Sequence, residues 1–167
     1  MSETVYLSLG ANLGDRAANL RQALRDLQEV GTVKAVSSLY ETEPVEAQGD
    51  QPWFLNCAAA IETELSPSEF LRRTLALEQA LGRTRTLIKA ARTLDIDIIF
   101  FGNTVLRTTE LTVPHPALER RRFVLEPLAE IAPELQHPIL KKTVRELLDE
   151  LSPEAGSVRK IGSPDLR

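Results

Sequence analysis

The chain has 167 residues, a net charge of −4 at pH 7, 43% hydrophobic and 26% charged residues, a soluble globular composition that suits one domain with one sizeable core. No apolar run approaches the roughly 20 residues a membrane span needs, and MSETVYLSLG at the N-terminus lacks the basic-then-apolar pattern of a secretory signal. Cys57 is the only cysteine, which excludes an intrachain disulfide and fits a reducing cytoplasm, while the acidic balance argues against a duplex nucleic-acid partner.

In chain order, VYLSLG (5–10) alternates Val5, Leu7 and Leu9 against Tyr6, Ser8 and Gly10, as a strand does. RAANLRQALRDLQEV (16–30) spaces Leu20, Leu24, Leu27 and Val30 on one helical face, and Gly31 ends it. VKAVSSLY (33–40) and WFLNCAAAIET (53–63) read as two further strands. SPSE (66–69) starts a helix, with Ser66 as N-cap, Pro67 in the first turn and Glu69 closing a capping box. That helix runs through Phe70, Leu71, Leu77 and Leu81 to Gly82, and a strand follows within ARTLDIDIIFFGN (91–103). The order β-α-β-β-α-β predicts an α+β, ferredoxin-like arrangement with both helices on one face of an antiparallel sheet.

A Pro-rich stretch (113–117), a short helix near 125–131 and a helix over 143–151 come next. Residues 1–151 read as one domain, and the polar tail 152–167 as loosely held. Two links, 41–52 and 82–92, are longer than their neighbours require, which marks functional or disordered segments. The second holds Arg83, Arg85, Lys89 and Arg92 without an acid, and Arg120, Arg121 and Arg122 form another basic cluster. Both fit a small anionic ligand, and equally basic loops that are merely solvated.

Asp95 and Asp97 interrupt an apolar strand and point to the same side, opposite Ile96 and Ile98. Two carboxylates so close repel unless something positive lies between them. Mg²⁺ fits, because it takes hard oxygen ligands, often one or two carboxylates plus substrate phosphates. An arginine partner or plain solvent exposure is the alternative. Phe54 and Asn56 share a strand face and suit a flat heterocycle, the ring by stacking and the amide by reading an edge. VPHP (113–116) holds His115 between two prolines in extended backbone, where it could donate to a phosphate. His137 reads as structural and Cys57 as a small buried hydrophobe. There is no P-loop lysine motif, no zinc-type Cys/His cluster and no Ser/His/Asp set.

The motifs SLGANLGD, SSLYETEP, FLN, LGRTR, RTLDIDII, LTVPHP and FVLEPLAEIAPEL occur in this order. Together, over roughly residues 4–135, they resemble the 6-hydroxymethyl-7,8-dihydropterin pyrophosphokinase family of folate biosynthesis. The resemblance implies transfer of pyrophosphate from the co-substrate ATP to the pterin hydroxymethyl group, with AMP released. It implies that Asp95 and Asp97 hold two Mg²⁺ ions along the ATP phosphates and form the catalytic set with Arg83 and Arg92. Thr42, Pro44, Val45, Phe54, Asn56 and Phe123 would line the pterin pocket. Glu78, Arg85, Thr112, His115 and Arg121, with Arg83 and Arg92, would meet ATP, and the backbone at Ile98 would bond adenine.

Small-molecule substrates, no nucleic acid, no membrane and a cytoplasmic monomer are expected. IKAA (88–91) replaces the family's usual R-W-G-P, Phe54 stands where tyrosine is common, Glu110 where arginine can be, and Gly49 looks like a small insertion. Two rivals remain: another two-metal nucleotidyl-transfer enzyme on a similar sheet, and a non-catalytic ferredoxin-like binding module.

Overall fold

Alternating side chains place β1 (Glu3–Ala11) between two buried clusters: Val5, Leu7 and Leu9 enter one, and Tyr6 packs against the other. The computed structural model describes residues 2–12, 14–42, 53–82, 94–152 and 158–164. The elements after β1 are α1 (Arg16–Asp26), β2 (Thr32–Val36), β3 (Leu39–Thr42), β4 (Phe54–Thr63), α2 (Pro67–Gly82), β5 (Asp95–Phe101), β6 (Leu106–Arg107), β7 (Thr112–Val113), α3 (Arg122–Ile131), α4 (Val144–Asp149) and β8 (Val158–Gly162). The main sheet runs β5-β1-β4-β3-β8, β2 also pairs with β4, and all its pairings are antiparallel. The architecture is a mixed α/β one, an antiparallel sheet with four α-helices among the described residues.

The first cluster joins Leu20, Ala23 and Leu24 of α1 and Phe70 of α2 to Leu55, Cys57, Ala59, Ile61, Ile96, Ile98 and Phe101 of the sheet. Phe70 and Phe101 meet edge to face with centroids 6.0 Å apart. Ahead of α2, the Ser66 hydroxyl accepts from the Glu69 N–H at 3.2 Å, while the Glu69 carboxylate turns to Arg72. Cys57 is fully buried, and burial pushes its thiol up to about 12, which keeps it inert.

The other face is not open along its whole length. Val124, Leu125 and Leu128 of α3 and Val144 and Leu147 of α4 pack there on Ala58, Ile99 and Phe100. A β-bulge makes this possible. Tyr6 pairs with Phe100 and Leu7 with Ile98, so Ile99 is an extra residue. Ile99 and Phe100 both reach the α3 side, and Phe101 returns beneath α2. His137 seals this layer: its ring lies edge-on to Phe100 at 5.7 Å, and its Nδ1 accepts from the Ile139 and Leu140 N–H groups.

Residues 33–40, expected as one strand, form two. Ser37 breaks the run: its hydroxyl accepts from Ala58 N–H and donates to Ser38 O. Glu130 of α3 then accepts from the Ser38 N–H and hydroxyl and, at 2.6 Å, from the Tyr40 hydroxyl. Burial would raise the Glu130 carboxyl, but the bonds from Tyr40 and Ser38 hold it below its usual 4.5. A depressed carboxyl contributes stability above its unfolded pKa and loses it as the pH falls through the folded value. Glu130→Ala should therefore cost about 1–2 kcal/mol at pH 7, kept modest by the exposure of the carboxylate. In chemical denaturation, the gap to wild type should close as the pH drops below about 4.5.

One segment of the polar tail is part of the sheet: Val158–Gly162 pairs with β3 at the sheet edge. Among the described residues no helix is long and apolar enough to cross a membrane.

Candidate active site

Three strands bring the candidate residues into rows. Gly10 of β1 pairs with Asn56 of β4 on one side and with Asp95 of β5 on the other, and Ser8 likewise lies between Ala58 and Asp97. Strands lie close to 5 Å apart, so the Asn56 and Asp95 backbones are about 10 Å apart across the sheet. Their side chains share the face opposite Leu7, Leu9, Ile96 and Ile98, beyond the part that α3 and α4 cover. Gly10 has no side chain, and the Asn56 amide occupies the space where its Cβ would stand, 2.5 Å from that position. Ser8 and Gly10 were not singled out from the sequence, although the alternation of VYLSLG places them on this face.

At one end, Asn56 is buried with its amide held twice. Oδ1 accepts from the Thr42 hydroxyl at 2.5 Å, and Nδ2 donates to Leu9 O at 3.3 Å. Thr42 pairs with Phe54 in the β3–β4 ladder. The Phe54 ring is half-buried beside Gly10: a Cβ added there would stand 3.6 Å from Phe54 Cδ1.

At the other end, Asp95 and Asp97 are half-buried side by side. Glu78 of α2 accepts from the Ile96 N–H at 2.5 Å and so braces the outer edge of β5 between the two aspartates. β5 is an edge strand, and the backbone of Ile98 faces the same edge as that of Ile96, two residues before. Thr112 of β7 is half-buried, and β7 packs beside β5.

His115 follows the cis Val113–Pro114 peptide. Its N–H donates to the carbonyl of the bulged Ile99 at 2.9 Å, and its Nδ1 accepts from the Ala117 N–H at 3.2 Å. In the neutral ring the proton therefore sits on Nε2. Burial lowers the His115 pKa, Arg121 lowers it further, and Asp95 and Glu119 oppose them. Arg121 and Asp95 thus each lie within electrostatic reach of His115. The Arg121 guanidinium stands 5.6 Å from the centroid of the Phe123 ring. In metal-free protein, NMR titration should find His115 neutral at pH 7, and Asp95→Asn should lower its pKa further by removing the opposing charge.

Pro44, Val45, Arg83, Arg85, Lys89 and Arg92 lie outside the described residues. Thr42, Phe54 and Asn56 come together at the β4 end, and Glu78, Ile98, His115 and Arg121 around the aspartates. Arg16 and Glu41, which tie α1 to β3, carried no signal in the sequence that distinguished them from surface charges.

The donor chemistry suits Mg²⁺. Among the described residues no three His, Cys, Asp or Glu side chains converge on one point. Two carboxylates on one face, with remaining positions left to phosphate oxygens and water, are the donor set Mg²⁺ takes.

The family model for 7,8-dihydro-6-hydroxymethylpterin-pyrophosphokinase matches residues 6–133. The chain is 46% identical over 138 residues to the 2-amino-4-hydroxy-6-hydroxymethyldihydropteridine pyrophosphokinase of Bacillus subtilis, covering 81% of this chain and 82% of the relative. Its Methylorubrum extorquens namesake is 43% identical over 150 residues, covering 89% and 93%. A third relative, the folic acid synthesis protein fol1 of Schizosaccharomyces pombe, is 40% identical over 152 residues; these are 90% of this chain but 21% of the relative. Among solved structures, Plasmodium falciparum HPPK-DHPS with pterin and p-hydroxybenzoate superposes with a TM-score of 0.72 at 18% identity, over 90% of this chain and 42% of that one, a likeness of fold. The chain belongs to the 7,8-dihydro-6-hydroxymethylpterin-pyrophosphokinase family.

Proposed function

We propose that this chain transfers pyrophosphate from ATP to the hydroxymethyl oxygen of 6-hydroxymethyl-7,8-dihydropterin in folate synthesis. The pterin oxygen bonds to the β-phosphorus, the bond from that phosphorus to the α,β-bridging oxygen breaks, AMP leaves with the bridging oxygen, and the hydroxyl proton is lost. The observation that carries the reading is the row Asn56–Gly10–Asp95. A buried amide suited to a heterocycle edge and a carboxylate suited to a phosphate-bound cation face the same side of the sheet, one strand apart.

In this reading Thr42 fixes the Asn56 amide, Phe54 and Phe123 flank the pterin ring, and Pro44 and Val45 complete its pocket. Neutral His115 donates from Nε2 to a phosphate oxygen. Arg121, together with Arg83, Arg85 and Arg92, balances the triphosphate charge, and Thr112 and Glu78 border the nucleotide. The edge of β5 at Ile98 offers backbone groups to adenine. Two Mg²⁺ ions held by Asp95 and Asp97 would neutralise charge developing on the phosphoryl oxygens, which is most of what such a transfer requires. Positioning supplies the rest, and no residue of the described set has to act as a base.

The frame is read as ferredoxin-like: β2 and β3 together occupy one strand position beside β4, and α1 and α2 share a face, which supports it. Residues 1–151 are taken as the catalytic domain of a cytoplasmic monomer that acts on small molecules only. An assay for AMP with Mg²⁺, ATP and the pterin alcohol, each omitted in turn, tests the reaction. AMP formed only with all three, with pyrophosphate retained on the pterin, is the expected result. Release of free pyrophosphate would favour a nucleotidyl-transfer enzyme instead.

A further inference from the structure

We infer that Arg16 is a positioning residue for the pterin end of the site, an inference that rests on the pterin reading above. Arg16 is the first residue of α1, on the far side of the sheet from the aspartates. Its Nη1 donates to Trp53 O at 2.7 Å and its Nη2 to Glu41 Oε2 at 3.2 Å. Glu41 immediately precedes Thr42, and Trp53 immediately precedes Phe54. Thr42 and Phe54 form the last rung of the β3–β4 ladder before the chain leaves toward 43–52. One guanidinium therefore holds both strands where their pairing ends.

The consequence reaches the ligand face through Thr42. The Thr42 hydroxyl sets the Asn56 amide, and strands tend to fray at the last rung. If β3 drifts from β4, the 2.5 Å contact between Thr42 and Asn56 goes first, and the amide loses its fixed orientation. The two acceptors are a carbonyl and a carboxylate on different strands. A planar fork bonds both at once, whereas an ammonium is a single point donor. Burial separates Arg16 from the other cation on Glu41. The Arg16 and Glu41 side chains are 29% and 18% exposed, whereas Arg159, which bonds the other oxygen of Glu41, is 69% exposed. Arg159 bonds Glu41 on β3, but that bond does not reach the β4 side, whereas Arg16 bonds both Glu41 and Trp53 O. The geometry assigns the positioning to Arg16 and only support to Arg159.

The test uses the full chain with Arg16→Ala, Arg16→Lys, Glu41→Gln and Arg159→Ala. Calorimetry measures 6-hydroxymethylpterin binding in the presence of Mg²⁺ and a non-hydrolysable ATP analogue, and binding of the analogue alone. Arg16→Ala should weaken pterin binding about tenfold or more and leave the analogue within about twofold. In turnover, the pterin KM should rise while kcat at saturation stays within about threefold. Arg16→Lys should recover only part of the affinity, and Arg159→Ala should bind within about twofold of wild type. Should Arg16→Ala fail to fold, Glu41→Gln carries the same test, with a smaller loss confined to pterin. Equal losses for both ligands, or a lowered melting temperature with unchanged pterin affinity, would overturn the assignment. Wild-type protein that binds no pterin would overturn the functional reading instead.

Discussion

Replacing Asp97 by alanine is expected to cut turnover by about 10³-fold or more and to leave the fold intact, and Asp95→Ala should do the same. A loss of that size corresponds to about 4 kcal/mol of transition-state stabilisation, the scale on which removing one preorganised electrostatic group from a phosphoryl-transfer site operates. Ground-state binding of ATP should suffer less than turnover, because in the proposed mode the phosphates would still have Arg121 and His115. Stability should hardly fall. Asp95 and Asp97 project from the same side of one strand, over Ser8 and Gly10, while the packing beneath them belongs to Ile96 and Ile98. At Asp95, removing one of two neighbouring like charges relieves repulsion, so no loss of melting temperature is expected there. Asp97→Asn sharpens the test, since it keeps the shape and one acceptor oxygen but not the charge. Quenched-flow measurement of AMP and thermal unfolding with and without Mg²⁺–ATP check both halves. Either variant turning over at the wild-type rate in saturating Mg²⁺ would remove the carboxylates from the chemistry.

How far the sequence reveals this site depends on whether polar residues mark the strand faces. In β5 they do up to Ile98: aspartates and isoleucines alternate, and the structure divides them between faces as alternation requires. Beyond that point Ile98, Ile99, Phe100 and Phe101 are all apolar, so nothing in the chain marks the bulge at Ile99. The slip decides that Phe100, not Phe101, joins α3 and α4. The second helical layer over the ligand face was illegible for that reason. Similarly, nothing local explains why 33–40 breaks at Ser37. The Ala58 N–H that the Ser37 hydroxyl accepts from lies 21 residues away, and Glu130, which holds Ser38, lies 92 residues from it. Arg16 is another case: its partners are 25 and 37 residues away, and helix-terminal arginines are ordinary surface residues until both partners are seen. By contrast, Ser66 before α2 and Thr143 before α4 act within three residues, and a cap with so short a reach can be read from the chain alone.

Gly10→Ala should abolish productive pterin binding, weakening it by about 30-fold or more, while ATP binding changes less than about threefold. A Cβ at Gly10 would stand 2.5 Å from Asn56 Nδ2, well inside van der Waals contact. Two responses are open. The amide can swing away, which breaks its bond to Leu9 O and leaves the buried Thr42 hydroxyl without Asn56 Oδ1; an unsatisfied buried group costs about 1–3 kcal/mol. Alternatively β1 can shift away from β4, but Leu7 and Leu9 on its other side are fully buried in the first cluster, and displacing a packed strand costs more than turning one side chain. The amide therefore moves, and the edge it would offer a heterocycle moves with it. The aspartate end is spared, because the residue of β5 opposite Gly10 is Asp95, whose contact with Gly10 is through the backbone ladder. Gly14→Ala is the matching control. Gly14 has φ +66° and would put its Cβ no closer than 3.7 Å to Asn19, so alanine there strains the backbone, at a cost of about 1 kcal/mol, without touching the pocket. Calorimetry on both variants separates the two effects: Gly14→Ala should lose stability and keep pterin affinity, and Gly10→Ala should lose pterin affinity far in excess of its loss of stability. If Gly10→Ala bound pterin as wild type does, Asn56 would not be the group that reads it, and the row joining β4 to β5 would not be the axis along which the two substrates meet.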